Sequence, residues 1–225
     1  MVNAAALAGK IVLYFFIGIA VTGLFLFVPA GTLDYWQAWL FLAVLFIPAF
    51  FVSTYFLKND PEFLIRRLKF KEKQGQQKKI VSAVSVLFFI GFLIPGLDRR
   101  YGWSSVPFEL SVLAFLVFLL GYFLNFLVFK ENSYAGRTVE IFKGQKLVST
   151  GLYSIVRHPM YSAQLLLYVS LPFALGSYWA LIPFLAIPIA LYYRILNEEK
   201  VLLAGLPGYA AYQKKVRYRL IPGVW

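Results

Sequence analysis

Two polar clusters bracket one apolar hairpin in this 225-residue chain, and their residue types are those of a binding or transfer site. Arg157-His158-Pro159-Met160-Tyr161 stands just before a hydrophobic stretch, and Arg194 with Glu198 and Glu199 stands just after it. Residues 162–193 are apolar except around Gly176-Ser177-Tyr178. Pro159 suits the first turn of a helix, where its missing N–H costs nothing. The free N–H groups of that turn, beside Arg157 and His158, would favour an anion. Tyr153 and Tyr161 add hydroxyls within helical reach. Two readings stay open here: a ligand site, or His158 capping the helix while Arg157 faces lipid phosphates. Arg194 and Glu198 are four apart and share a helix face. They form either a surface ion pair worth about 0.3–0.5 kcal/mol or part of a site, since ionisable groups close to a membrane core are functional candidates. Glu198 and Glu199 cannot share a face, so only one of them is expected to point into a site.

These groups need elements that bring them together. The chain is 60% hydrophobic, against about 45–50% in soluble domains, which marks an integral membrane protein. Apolar runs of spanning length occur at 11–28, 35–57, 80–97 and 106–129, followed by a short pair near 160–175 and 178–194. Backbone groups in lipid must be bonded within their own segment, so these runs predict helices. A β-barrel would need strands alternating apolar and polar, and Val84–Ile94 does not alternate. Each half of the short pair is about 15 residues, or roughly 22 Å as helix, against a hydrocarbon core of roughly 30 Å. Joined at Gly176-Ser177, the halves should leave and return on one side of the membrane, so that the two clusters meet. The first run is too long for a signal-peptide core and reads as a retained helix.

The net charge of +12 is distributed as a topology signal rather than a nucleic-acid footprint. Lys58, Arg66, Arg67, Lys69, Lys71, Lys73, Lys78 and Lys79 fall in an expected loop after the second helix. Lys130, Arg137, Lys143, Lys146 and Arg157 follow the fourth, and Arg194, Lys200, Lys214, Lys215, Arg217 and Arg219 follow the hairpin. Only Arg99 and Arg100 fall in a loop expected on the other side. This positive-inside bias places both termini and the polar clusters in the cytoplasm. No nucleic-acid partner is expected. With one histidine and no cysteine, disulfides and thiolate chemistry are excluded and no metal site is expected. Dinucleotide, P-loop, H-E-x-x-H and G-x-S-x-G signatures are absent.

The chain reads as one membrane domain, 1–225. Residues 1–129 form a four-helix part poor in buried ionisable groups. Residues 130–225 carry the chemistry through a polar connector, the hairpin and a basic-aromatic tail. Asn125 is the most notable intramembrane polar residue of the first part, either a helix–helix hydrogen bond or a ligand group.

The ordered set Gly151-Leu152-Tyr153, Arg157-His158-Pro159-Met160-Tyr161, Arg194-x-x-x-Glu198-Glu199, Leu206-Pro207-Gly208-Tyr209-x-x-Tyr212 and Val216–Gly223 resembles the isoprenylcysteine carboxyl methyltransferase and phospholipid methyltransferase superfamily. The stretch Asn132–Val139 is similar to that of bacterial members, and the resemblance covers about the last 95 residues. It implies an all-α integral membrane protein, with four spanning helices plus a short C-terminal hairpin. It also implies S-adenosyl-L-methionine as cofactor in a cytoplasm-facing pocket, and a bacterial plasma membrane location. By position, Gln145, Lys146, Leu147 and Val148 would line the cofactor partly through backbone groups. Tyr153, His158, Pro159, Met160, Tyr161 and Glu198 would complete its site. Arg194 would hold an acidic group of the substrate, and Glu198 or Glu199 would accept a proton from an amine acceptor. Ala163 stands where such sequences often carry Gly, which would narrow the pocket slightly.

The implied activity is methyl transfer to a lipid or isoprenoid-linked acceptor drawn from the bilayer, either a carboxylate or an amine. The alternatives are an NADPH-dependent membrane reductase of sterol-like or enoyl lipids, and a non-catalytic transporter or scaffold. The ungapped Arg194-x-x-x-Glu198-Glu199 and the Leu206–Tyr209 segment favour the methyltransferase over the reductase. The scarcity of charge in the long helices argues against an ion path.

Overall fold

A computed structural model describes residues 4–68 and 75–225, with only the backbone of Ala4 and Gln76. Lys69, Lys71 and Lys73 of the basic segment lie outside the described residues. The described residues form eight helices and no strand: α1 (Ala4–Ala30), α2 (Trp36–Asn59), α3 (Pro61–Arg67), α4 (Gly75–Tyr101), α5 (Phe108–Glu131), α6 (Pro159–Ala174), α7 (Leu181–Gly205) and α8 (Tyr209–Lys215), with a 3-10 turn at Gly151–Ser154. Among them α1, α2, α4, α5 and α7 are long and apolar enough to cross a membrane. Helix α6, at 16 residues, is about 24 Å long.

The four long apolar runs thus become α1, α2, α4 and α5, and the hairpin becomes α6 and α7. Two details differ from the sequence expectation. The second half of the hairpin is 25 residues rather than about 15, because the helix continues through Asn197-Glu198-Glu199-Lys200 to Gly205 after its apolar part ends. The basic segment after α2 is also more than a loop. Asp60 accepts from Phe63 N at 3.0 Å and Pro61 starts α3, a capped first turn with proline where no N–H is needed. Lys78 and Lys79 belong to α4, while Arg99 and Arg100 occupy its last turn.

Neighbouring helices close a ring in the order α2, α1, α4, α7, α6, α5 and back to α2. Its interior is filled by Leu26, Phe41, Phe118, Leu171, Phe184 and Ile187. Phe41 packs against Phe92 and Phe118 with ring centroids 5.7 and 5.6 Å away. With lipid outside, such bundles gain from close packing rather than from apolar burial, so small residues sit at the crossings. A Cβ on Gly96 would lie 2.6 Å from Leu26 O across α1, and one on Gly121 would lie 3.0 Å from Ala163 O across α6. Ala163 is therefore part of the α5–α6 seam and does not narrow a pocket.

The α6–α7 turn forms where expected, with Gly176 at φ +75°. Asp98 at the end of α4 accepts from Ser104 N and Ser104 Oγ, each at 2.6 Å, and from Ser177 Oγ at 2.5 Å. Tyr35 Oη donates to Leu175 O at 2.6 Å. This end of the bundle is thereby clamped, and the opposite end holds both polar clusters.

Candidate functional site

The site begins where α6 starts. His158 is the N-cap and Pro159 the first helical residue. The Arg157 and His158 N–H groups donate to Tyr218 O and Arg219 O, both at 2.9 Å. Those of Tyr161 and Ser162 turn back to His158 O. The C-terminal segment thus takes the two donors just before the helix, and Ser162 Oγ adds a 2.7 Å bond to Leu220 O.

Glu199 is the hub of that closure. Its side chain is 5% exposed. Oε1 accepts from Arg157 Nε at 2.7 Å and lies 3.2 Å from His158 Nε2, while Oε2 accepts from Arg219 Nε at 2.9 Å. Arg157 Nη1 also donates to Val216 O and Arg217 O, each at 2.8 Å. Arg157 borders the chamber as well, but its guanidinium is bonded within the protein. It ties α6, α7 and the tail together, and Glu199, an expected catalytic candidate, is turned into that network and away from the cavity.

Glu198, about 100° further round α7, points into the cavity. Its Oε2 accepts from Tyr161 Oη at 2.6 Å, and His158 Nδ1 lies 3.9 Å from its Oε1. Tyr161 Oη in turn accepts from Arg194 Nε at 2.9 Å. Arg194 is held further by Gln77 Oε1 at 2.9 Å and Arg137 O at 2.6 Å, and Gln77 Nε2 donates to Arg194 O at 3.2 Å. Arg194 and Glu198 thus share one phenol instead of acting only as a surface pair.

This array borders two cavities. The first, about 90 Å³, lies between the 132–148 connector, the start of α6, the end of α7, and α8. Its wall includes Gln145, Lys146, Leu147, Val148, Tyr153, His158, Met160, Tyr161, Arg194 and Glu198. Pro159 is buried and Glu199 is satisfied elsewhere; neither is in the wall. Gln145 Oε1 accepts from Phe142 N at 3.0 Å, which fixes the connector turn. Tyr153 Oη accepts from Asn132 Nδ2 at 2.9 Å, and Tyr212 Oη donates to Tyr153 O at 2.7 Å. Tyr209, also in the wall, is buried with no partner for its hydroxyl. Burial, reinforced by Glu199 and Glu198, holds the Tyr209 phenol far above its ordinary value, so it is a neutral group able to donate into the cavity. Asn132, Gln77 and Tyr209 escaped the sequence reading. Tyr209 stands in the Leu206–Tyr212 segment that carries the resemblance but is given no site role there, and nothing local in the sequence marks Gln77.

The second cavity, about 740 Å³, runs between α4, α6 and α7 and reaches the exposed Val81 and Ser85. Its walls include Val84, Phe88, Tyr168 and Leu191, and Arg67, Arg137 and Arg194 stand at its polar end. Met160, Tyr161 and Arg194 belong to both walls.

Fold and cavities define a helical multi-pass membrane protein with a polar chamber at one end of the bundle, joined to a largely apolar space between the helices. Residues 110–206 match the model of the phospholipid methyltransferase family. That segment holds α5, the connector, the hairpin and most of the chamber wall, and the match supports a membrane methyltransferase. No curated protein matches the sequence. The solved structure of a eukaryotic intramembrane Ras methyltransferase, isoprenylcysteine carboxyl methyltransferase, is similar over 96% of this chain and 86% of its own. Its identity is 19% and its TM-score 0.48, a likeness that carries no argument about activity.

Proposed function

We propose that this protein is a membrane methyltransferase that takes S-adenosyl-L-methionine into the polar chamber and a lipid-borne acceptor from the space between the helices. The observation that carries this reading is the shared wall, where Arg194, Tyr161 and Glu198 form one hydrogen-bonded line at the meeting of two chemically different cavities. The lining of the chamber suits the cofactor. Glu198 suits a cationic group, the orphaned Tyr209 hydroxyl offers a bond, and Leu147, Val148, Leu202 and Leu206 give an apolar surface for a base. When bound, the cofactor supplies an electrophilic methyl group.

The protein's own contribution is positioning. Arg194, fixed by Gln77, Tyr161 and the Arg137 carbonyl, orients an acidic group of the acceptor. Glu198, held by Tyr161 and flanked by His158, faces the chamber and accepts a proton where the acceptor is an amine. Orientation of this kind can supply roughly 7–11 kcal/mol, and in-line displacement needs no covalent help. The lysine and arginine asymmetry of the loops supports a cytoplasmic chamber.

The test is calorimetric titration of detergent-purified protein with S-adenosylhomocysteine, with NADPH in parallel. Micromolar binding of the first, weakened in His158→Ala and Glu198→Ala, is expected. Labelled methyl transfer from S-adenosyl-L-methionine to membrane lipid extract should follow. Binding of NADPH alone would overturn the reading in favour of a reductase.

A further inference from the structure

Arg66 and Arg67 are neighbours in α3 with opposite fates. Arg66 is neutralised by Asp60 at 3.6 Å and Glu62 at 3.3 Å and donates to Ser133 O at 2.9 Å. Arg67 turns inward and, among the described residues, meets distant partners: Ala135 O and Gly136 O at 3.4 Å, Met160 Sδ at 3.9 Å, and the face of Phe129 at 4.5 Å. Among the described residues no carboxylate lies within ion-pair range of it. Burial, and then the charge of Arg137, pull its pKa down to about 10. A half-buried guanidinium with no carboxylate in range is unfavourable unless an anion joins it.

Arg67 also lines a further pocket of about 200 Å³ between α2, α5 and α6, together with Asn125, Tyr122, Gln164 and Tyr168. Arg67, Gln164 and Tyr168 are common to this pocket and to the large cavity, so the pocket is a side branch of it. Asn125 is 7% exposed; its Nδ2 donates to Gly121 O at 3.1 Å and its Oδ1 has no partner. The Gly121 bond settles which end of the amide is oxygen, because the reverse would set two acceptors together. Asn125 stands six residues inside the end of α5 at Glu131, about 9 Å along the axis, in a pocket whose wall also includes the apolar Val52, Phe126 and Leu167. Buried polar atoms are almost always bonded, and an acceptor left open at that depth matches a donor brought by a ligand.

We propose that the branch between α2, α5 and α6 is a lipid subsite for an anionic amphiphile, with a phosphate or carboxylate at Arg67 and a hydroxyl or amide N–H bonded to Asn125 Oδ1. The inference rests on the methyltransferase reading only in taking this amphiphile as the acceptor. It narrows the acceptor to lipids with a negative group and a donor close below it, and sets aside uncharged isoprenoids. It also gives the N-terminal half a part in substrate choice, through α2, α3 and α5.

The experiment is equilibrium binding of lipids to the detergent-purified full chain, with S-adenosylhomocysteine titrated separately. The probes are 1-oleoyl lysophosphatidate (phosphate and hydroxyl), its 2-deoxy analogue, N-oleoylglycine (carboxylate and amide N–H) and mono-oleoylglycerol (uncharged). Wild-type protein should bind at least one anionic probe ten-fold or more tighter than mono-oleoylglycerol, and whichever is tighter identifies phosphate or carboxylate as the anion. Arg67→Gln should erase that margin and Arg67→Lys should restore part of it. Asn125→Leu should abolish the preference for the hydroxyl-bearing probe over its deoxy analogue. Equal binding of charged and uncharged probes, or an anion preference intact in Arg67→Gln, would overturn the subsite. Failure of S-adenosylhomocysteine to bind while the lipid pattern holds would count against the methyltransferase reading alone.

Discussion

Glu199→Gln separates a structural carboxylate from a catalytic one. Gln keeps the shape of the side chain but removes its charge and presents an amide donor to guanidinium groups that can only donate. Arg157, 4% exposed in its side chain, loses the counter-ion 2.7 Å from its Nε. Removing one partner of a buried ion pair costs about 3–5 kcal/mol. Arg219 is 26% exposed and adds about 0–1 kcal/mol, because water replaces its partner. At about 2–4 °C per kcal/mol for a chain of this size, the variant should melt about 6–24 °C lower. Loss of cofactor affinity should follow from loosening of the tail, whose carbonyls at 216–219 hold Arg157 and His158. The assay pairs thermal unfolding by intrinsic tryptophan fluorescence in detergent with S-adenosylhomocysteine titration. Glu198→Gln serves as the counterpart, expected to melt within about 1 kcal/mol of wild type while losing cofactor affinity. A Glu199→Gln protein that melts like wild type and fails only in turnover would refute the structural assignment.

Four further outcomes follow from the same geometry. Tyr161→Phe removes the hydroxyl between Arg194 and Glu198. Hydrogen bonds to charged groups are worth about 1.5–3 kcal/mol, so methyl transfer should fall about 10- to 150-fold with little change in melting. Tyr209→Phe deletes a buried hydroxyl that has no protein partner, so stability should hold or rise while S-adenosylhomocysteine affinity falls by about 1 kcal/mol in calorimetry. Gly96→Ala sets a Cβ 2.6 Å from Leu26 O, and the forced separation of α1 and α4 should cost about 1–3 kcal/mol, read as a lower melting temperature. Asp98→Asn weakens the clamp at Ser104 and Ser177 and should destabilise by about 1–3 kcal/mol, leaving S-adenosylhomocysteine affinity unchanged because the clamp lies at the other end of the bundle.

Much of the architecture was legible from hydropathy, because lipid leaves the backbone no partner outside its own helix. The runs that became α1, α2, α4 and α5 stand out for that reason, as does the shortness of α6 and the break at Gly176. Convergence of the Arg157–Tyr161 and Arg194–Glu199 clusters also followed from a hairpin returning to one side. Helix α3 was missed because seven residues capped by Asp60 and Pro61 carry too little periodicity to stand out from a basic loop. The extra turns of α7 were missed because hydropathy marks where the apolar stretch ends, not where the helix does.

Residue types and spacing alone determined that this is a helical membrane protein, that two polar clusters return to one end of a hairpin, and that only one of two adjacent glutamates can point into the space between them. Only the tertiary structure decided which one. Successive helical residues differ by about 100° in direction, and the phase of α7 is set by its packing against α4, α6 and the tail, not by its own sequence. The same holds for the closure of the α6 N-terminus by residues 216–220, the inward turn of Arg67 beside a neutralised Arg66, and Gln77 gripping Arg194 across 117 positions. Each is a contact between segments distant in the chain, and side-chain direction at such a contact is a property of the assembled bundle.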